Sequence, residues 1–316
     1  ATPTGEVSYK AKVVVNCAGL HAGKIAMLTG FDSYTVYPCR GEYFVLDKQL
    51  KDELNILVYP VPGAHSGGLG IHLTKTTEGN ILIGPSNEYI DDGDDVSSTK
   101  AIMKQLKEEG SELLPSLQTG DFIRSFAGVR PKLTPPELGG YHDFVIEAQE
   151  DIPRMIHLLG IESPGLTSAP AIARMVVDMI DSHIPLSLKR HWSETFKENT
   201  NLYRRCYPLS HYDLSDRQEL MRSNSDYGTI VCRCEQISKA EILSAIDRIF
   251  GPITLNGIKN RSRISTGRCQ GGFCIPRIVT ILKEYHDIGS KDIWWKGPNS
   301  PMFIGNLRTA GGSDNE

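Results

Sequence analysis

The sequence predicts a chain of mixed class, α/β plus α+β, built around an antiparallel sheet and ending in a small helical, cysteine-rich domain. Three features carry this. The apolar run from Lys12 ends in the small residues Ala18-Gly19 and passes into a helical period. Short strand-like runs separated by glycine turns follow between Arg40 and Pro85. Four of the seven cysteines fall between Cys232 and Cys274. At 316 residues, two domains with a sizeable core are expected.

The net charge of −4 argues against bulk binding to nucleic acid or a membrane surface. No apolar run approaches membrane-spanning length. Seven cysteines without a visible secretory segment predict a reducing cytoplasm.

Val13–Val15, the Asn16–Gly19 turn and a helix from Ala22 to Leu28 suit a buried parallel strand feeding a glycine turn and a helix. Arg40–Leu46, Asn55–Pro62, Leu69–Thr76 and Asn80–Pro85 read as strands of a mostly antiparallel sheet, with Glu78-Gly79 as a hairpin turn. Ser98–Leu114 reads as an amphipathic helix ended by Pro115. Phe122–Val129 is strand-like and delivers Arg130. Phe144–Ala148 and Met155–Leu159 form a last strand pair. A glycine loop from Gly160 then opens a helix running to about Ile180, N-capped by Thr167 or Ser168 with Pro170 in its first turn. Such an N-terminus exposes unpaired N–H groups and about half a positive charge, which suits an anion; an ordinary capped helix is the alternative.

From Pro185 to Tyr227 the chain is a polar connector with basic spots at Lys189-Arg190-His191 and Tyr203-Arg204-Arg205. Ser238 and Glu241 form a capping box that starts a helix to about Phe250. Pro276 lies near the start of a helix over Ile275–Tyr285, which leaves Cys274 at a helix N-terminus and favours its thiolate. Gly311–Glu316 reads as disordered.

Cys232-Arg233-Cys234 and Cys269-Gln270-Gly271-Gly272-Phe273-Cys274 provide two thiol pairs, the donor set for a four-thiolate metal centre. Thiolates select zinc, copper(I) or iron–sulfur clusters. The neighbouring glycines allow backbone N–H groups to approach the sulfurs. Structural zinc and disulfides are the alternatives; zinc more often uses Cys-x2-Cys pairs. Cys-x-Cys-Glu followed by Gly-x-Cys-Gln-Gly-x-Phe-Cys resembles the bacterioferritin-associated-ferredoxin-type [2Fe–2S] domain. The likeness is to the form that ends anaerobic glycerol-3-phosphate dehydrogenase catalytic subunits, and it implies Cys232, Cys234, Cys269 and Cys274 as ligands.

Upstream, Val14–Leu20 resembles the second FAD-contacting strand and turn of the glycine-oxidase/D-amino-acid-oxidase-like flavoproteins. Ser125–Pro131 is similar to their active-site arginine strand, and Gly160–Ala173 to their terminal flavin helix. The motifs at Pro38–Tyr43, Val58–Pro62, Leu69–Thr74 and Gly84–Asn87 look closest to L-2-hydroxyglutarate oxidase-like dehydrogenases, whereas the domain order looks like the glycerol-3-phosphate enzymes. The resemblance implies a partial, glutathione-reductase-like FAD-binding domain (1–30 and 120–185), an antiparallel substrate sheet (31–119), a connector (186–226), a [2Fe–2S] domain (227–290) and a tail (291–316). It also implies FAD contacts from Ala18, Gly19, Gly160, Gly165, Leu166 and Thr167. The family's Gly-x-Gly-x-x-Gly turn does not precede Val13, so roughly the first third of a parent enzyme is expected to be missing.

The implied chemistry is oxidation of a secondary alcohol, either a small 2-hydroxy acid or glycerol 3-phosphate. His72 matches the family's motif histidine and is the candidate base, with His157 as runner-up. Arg130 is the first candidate to hold the substrate's anionic group and Arg40 the second, a structural salt bridge being the alternative for Arg40, with Lys132 joining if that group is a phosphate. A one-electron centre beside a flavin implies a dehydrogenase, with an electron-acceptor protein such as a second flavoprotein subunit. Membrane association would come only through that partner. A non-catalytic electron-transfer module and a zinc-stabilised binding protein are the competing readings.

Overall fold

The computed structural model describes residues 7–61, 69–187, 208–247 and 251–305. The chain divides into two compact units, Ala1–Trp192 and Ser193–Glu316.

The first unit begins with β1 (Val14–Asn16) and α1 (Ala22–Leu28). The long strand β2 (Tyr37–Leu46), the hairpin of β3 (His72–Lys75) and β4 (Ile81–Gly84), and the short β5 (Glu88–Tyr89) follow. Then come α2 (Lys100–Leu113), β6 (Phe122–Lys132), β7 (Val145–Ala148), β8 (Met155–Leu159) and α3 (Gly165–His183).

These elements make two sheets. The smaller has the order β1–β8–β7, with β1 parallel and β7 antiparallel to β8. All five residues of β8 are buried, because helices cover both faces. Leu159 and Val145 pack with Ala22 and Ala26 of α1, while Ile156 and Leu158 pack with Val176 of α3. The larger sheet is antiparallel and runs β3–β4–β2–β5, with β6 paired to β2 over almost its whole length. Its apolar face, Leu46, Leu73, Ile81 and Ile83, is covered by Leu106 of α2.

Four details differ from expectation. Among the described residues 55–61 of that run, Val58 alone pairs, through a single bridge to Leu73; Pro60 lacks the N–H that a ladder needs. β6 runs on past Val129 to Lys132, because Pro131 faces Pro38 and the two missing donors fall at one rung. Although the expected domain division places it with the flavin part, β6 is a strand of the larger sheet. Finally, α3 starts at Gly165, with Pro164 rather than Thr167 or Ser168 at its N-cap. Pro170 therefore lies inside the helix, and the Leu166 carbonyl it leaves unpaired belongs to a residue that is 97% exposed to solvent.

The second unit contains α4 (Leu214–Ser223), a ribbon of β9 (Ile230–Cys232) and β10 (Ile237–Ser238), α5 (Lys239–Ile246), α6 (Leu255–Ser262) and α7 (Ile275–His286). The capping box is formed: Ser238 N–H donates to Glu241 at 2.7 Å, and Glu241 N–H reaches the Ser238 hydroxyl. The helix it starts ends at Ile246; residues 248–250 lie outside the described residues. No sequence pattern announces α6, which is short and capped by Thr254, whose hydroxyl accepts from Gly257 N–H. Ile242, Ile258, Ile264, Ile278, Leu282 and the tail residue Ile293 share one core. The two basic spots of the connector and Gly311–Glu316 also lie outside the described residues.

Candidate functional site

In the larger sheet, strand alternation sorts side chains onto opposite faces. Cys39, Gly41 and Tyr43 of β2 stand opposite Arg130, Gly128 and Phe126 of β6. His72 pairs with Gly84 and alternates with the buried Leu73, so it shares this face. The rings of Tyr43 and Phe126 stack at 5.0 Å, and those of Tyr59 and His72 at 4.4 Å. The row Tyr59, His72, Tyr43, Phe126 thus forms an aromatic wall beside a floor of Gly41, Gly84 and Gly128. Burial pushes the Tyr43 phenol above its ordinary pKa, which makes it a neutral donor.

Arg130 lies across this floor and donates to the Ser86 carbonyl at 2.5 Å. A methyl group on Gly41 would sit 2.8 Å from its guanidinium, so the glycine is what lets the side chain cross β2. His72 Nδ1 is 3.0 Å from the Gly70 carbonyl. A carbonyl only accepts, so Nδ1 carries the proton and the lone pair is left on Nε2.

Arg40 points to the opposite face. It is 3% exposed and is tied to Glu42 at 3.3 Å, to Glu88 at 2.7 Å and to Asp95. Glu42 also accepts from the backbone and hydroxyl of Thr99, which anchors the start of α2. The charge of Arg40 is thereby spent within the fold, contrary to its expected part in holding substrate. Lys132 is likewise 1% exposed and donates to the Gly140 carbonyl and to Glu162 at 3.2 Å, so it does not join Arg130. His157, the runner-up base, is fully buried. Its Nδ1 accepts from Asn16 at 3.1 Å, its Nε2–H donates to Gln149 at 3.2 Å, and its ring stacks on Phe31. Burial lowers its pKa and keeps it neutral.

In the smaller sheet, the parallel pairing of Asn16 with His157 sends the loops after β1 and β8 out at the same edge. Ala18-Gly19 and Gly160 through Gly165-Leu166-Thr167 therefore converge at the carboxyl ends of two parallel strands, where α/β sheets bind ligands. Gly19 and Gly160 both take positive φ there, as such turns require. The exposed N-terminus of α3 supplies N–H donors, and the cradle fits a dinucleotide such as FAD.

In the second unit, Cys232 ends β9 and Cys274 N-caps α7; both are buried, whereas Cys234 and Cys269 are exposed. The sulfurs associate in two pairs, Cys232 with Cys274 and Cys234 with Cys269. The hydrogen bond from Cys232 and then that from the Ser265 hydroxyl hold Cys274 down to about 6. Cys232, the donor of the buried pair, is pushed up by that same bond and by burial. The Phe273 and Gly271 N–H groups point at Cys269 and lower it. Gly267 packs against Cys234 so closely that a methyl group there would lie 2.3 Å from its Cβ. Among the described residues, no three or more His, Cys, Asp or Glu side chains converge on one ion. Two sulfur pairs, each with nearby donors, make up the four-thiolate set that an iron–sulfur cluster takes.

Residues 1–179 match the family model described as FAD dependent oxidoreductase. The chain belongs to that family. Residues 230–284 match the BFD-like [2Fe-2S] binding domain, which accounts for the paired cysteines of this oxidoreductase. Among curated relatives, a glycerol 3-phosphate dehydrogenase from Caloramator mitchellensis is 37% identical over 88% of this chain and 55% of its own length. Anaerobic glycerol-3-phosphate dehydrogenase subunit A1 from Haloferax volcanii is 27% identical over 95% of this chain and 54% of its own. The chain thus spans about half the length of the curated relatives it matches. The glycerol-3-phosphate dehydrogenase structure from Bacillus halodurans complexed with FAD aligns with a TM-score of 0.51 at 18% identity, over 87% of this chain and 56% of that one. This is a likeness of fold.

Neither Tyr59 nor Ser265 stands out in the sequence as a site residue. Tyr59 lay within a motif read as a strand. Ser265 sits beside Cys274 only because of the turn before Cys269, and no local pattern announces that.

Proposed function

We propose that this oxidoreductase is an FAD-dependent dehydrogenase of glycerol 3-phosphate or a small 2-hydroxy acid. Cys232, Cys234, Cys269 and Cys274 would hold a [2Fe–2S] centre. The observation that carries the reading is the shared face of the larger sheet, where His72 presents a free Nε2 and Arg130 a guanidinium over a glycine floor. Arg130 binds the phosphate or carboxylate of the substrate, with the Ser86 carbonyl holding it in place. His72 Nε2 takes the hydroxyl proton, and the Gly70 carbonyl steadies the imidazolium through Nδ1–H. Tyr43 and Phe126 exclude water along one side. At the α3 N-terminus the Gly165 N–H is taken by the Glu162 carbonyl, so the donors offered to negative charge on the cofactor are the N–H groups of Leu166 and Thr167. When bound, the flavin accepts the carbinol hydride and the iron–sulfur centre carries electrons away singly.

The glycerol 3-phosphate reading is supported by the relatives that match across both units; the motifs at Pro38–Tyr43 and Leu69–Thr74 favour the hydroxy acid. The named subunit among those relatives supports a protein acceptor, which we take to be a second flavoprotein subunit. No helix of the described residues is long and apolar enough to cross a membrane; we take any membrane association to come through that partner. A thiolate-held iron–sulfur centre fits a reducing cytoplasm.

Anaerobic stopped-flow bleaching of the flavin by each alcohol tests the proposal. One of them is expected to reduce the flavin in the wild type. His72→Gln is expected to slow that step about 10²- to 10⁴-fold while the flavin stays bound. An unchanged rate in the variant would remove His72 from the mechanism.

A further inference from the structure

The buried half of the cysteine centre contains a residue that the ligand set leaves unexplained. Ser265 is 8% exposed, and its φ is +67°, in the left-handed region. Glycine adopts that conformation freely, whereas a side chain strains it. A purely structural turn would therefore be better served by glycine, which the same segment uses at Gly267 and Gly271. The serine hydroxyl lies 3.2 Å from Cys274 Sγ. The Ser265 N–H also reaches the sulfurs of Cys232 and Cys274. One residue thus aims two donors at the inner sulfur pair, in a site closed to water.

We propose that Ser265 raises the reduction potential of the iron–sulfur centre by donating its hydroxyl hydrogen bond to the buried Cys274 sulfur. The inference rests on the reading that the four cysteines are cluster ligands. A ligating Cys274 carries no proton, so the hydroxyl must be the donor. Reduction brings one electron into the centre, from the flavin in turnover or from dithionite in a titration. No covalent bond forms, and the proton stays on Ser265 Oγ. The added negative charge strengthens the hydrogen bond to sulfur, so the donor favours the reduced state, and low local polarity enlarges the difference. The N–H groups at Cys269 act in the same sense but belong to the backbone. The Ser265 hydroxyl can be removed alone.

The test compares Ser265→Gly, Ser265→Ala and Ser265→Thr in the cluster-loaded protein by anaerobic redox titration with electron paramagnetic resonance, iron analysis and thermal unfolding. Ser265→Gly is expected to keep its iron, to unfold at the same or a higher temperature, and yet to show a lower midpoint potential. Ser265→Ala should shift the potential in the same direction. Ser265→Thr, which retains the hydroxyl, should restore a potential near wild type at some cost in stability. An unchanged potential in the glycine and alanine variants with iron retained overturns the proposal. So does loss of iron from the glycine variant, because the hydroxyl would then hold the centre rather than tune it. A wild-type protein without iron and labile sulfide would instead refute the underlying cluster assignment.

Discussion

Two arginines one strand apart have opposite duties. Arg130 keeps its guanidinium over an open floor, whereas Arg40 has spent its charge on three carboxylates. Replacing Arg130 with Gln should raise KM for the anionic substrate at least tenfold and leave the unfolding temperature nearly unchanged. Arg40→Gln should do the reverse, costing about 3–5 kcal/mol of stability, the usual penalty for breaking a buried ion pair. Denaturant titrations alongside steady-state kinetics separate the two. His157 provides a pH signature. Its folded pKa lies below its ordinary 6.5 because it is buried. Below pH 6.5 the unfolded chain therefore binds the extra proton, and stability falls with pH until the folded pKa is reached. The first unit should lose thermal stability over that window, and His157→Gln should flatten the slope. Sequence could rank Arg130 above Arg40 through its motif. It could not show that Arg40 meets Glu88 and Asp95, because those contacts depend on how β5 and the following loop fold back. Nor could it reveal that His157 faces Asn16 across a sheet.

At the scale of elements, the best-read segments are those whose own pattern suffices. The β3–β4 hairpin follows from alternation around Glu78-Gly79, and α5 from its capping box. Misreadings arise where tertiary contacts decide. The start of α3 is set by the turn at Pro164 rather than by Thr167 or Ser168, and α6 depends on burying Leu255 and Ile258 in the second unit's core. The register of β2 against β6 is likewise invisible to local pattern, yet it places Gly41 beneath Arg130. Gly41→Ala should displace the guanidinium and lower kcat/KM for the anionic substrate about tenfold or more. The sheet itself should survive, as far-ultraviolet circular dichroism would report. Activity equal to wild type would mean that the arginine has a second productive position.

Across the whole molecule, the family was legible because its motifs lie in loops and strand ends, where chemistry rather than packing selects residues. The pairing of the sulfurs into a buried and an exposed couple was not legible, since spacing alone does not distinguish one four-thiolate ion from two irons. Metal ligation of this kind is also folding free energy. Stripping iron anaerobically with a chelator should lower the unfolding temperature of the second unit, while far-ultraviolet signals attributable to the first persist. Calorimetry before and after reconstitution with iron and sulfide measures the difference, and no difference would mean that the apo-fold stands without its metal.

β6 joins two tasks in one span. Near its end it carries Arg130 across β2, and its last residue, Lys132, reaches Glu162 in the loop that opens α3. On the proposed reading, the grip on the substrate and the donors offered to the flavin are therefore indexed to the same rigid ruler. Substrate range could then drift through the loops around the sheet while Arg130 and Lys132 keep their spacing, whereas inserting or deleting a single residue in β6 would disturb both at once.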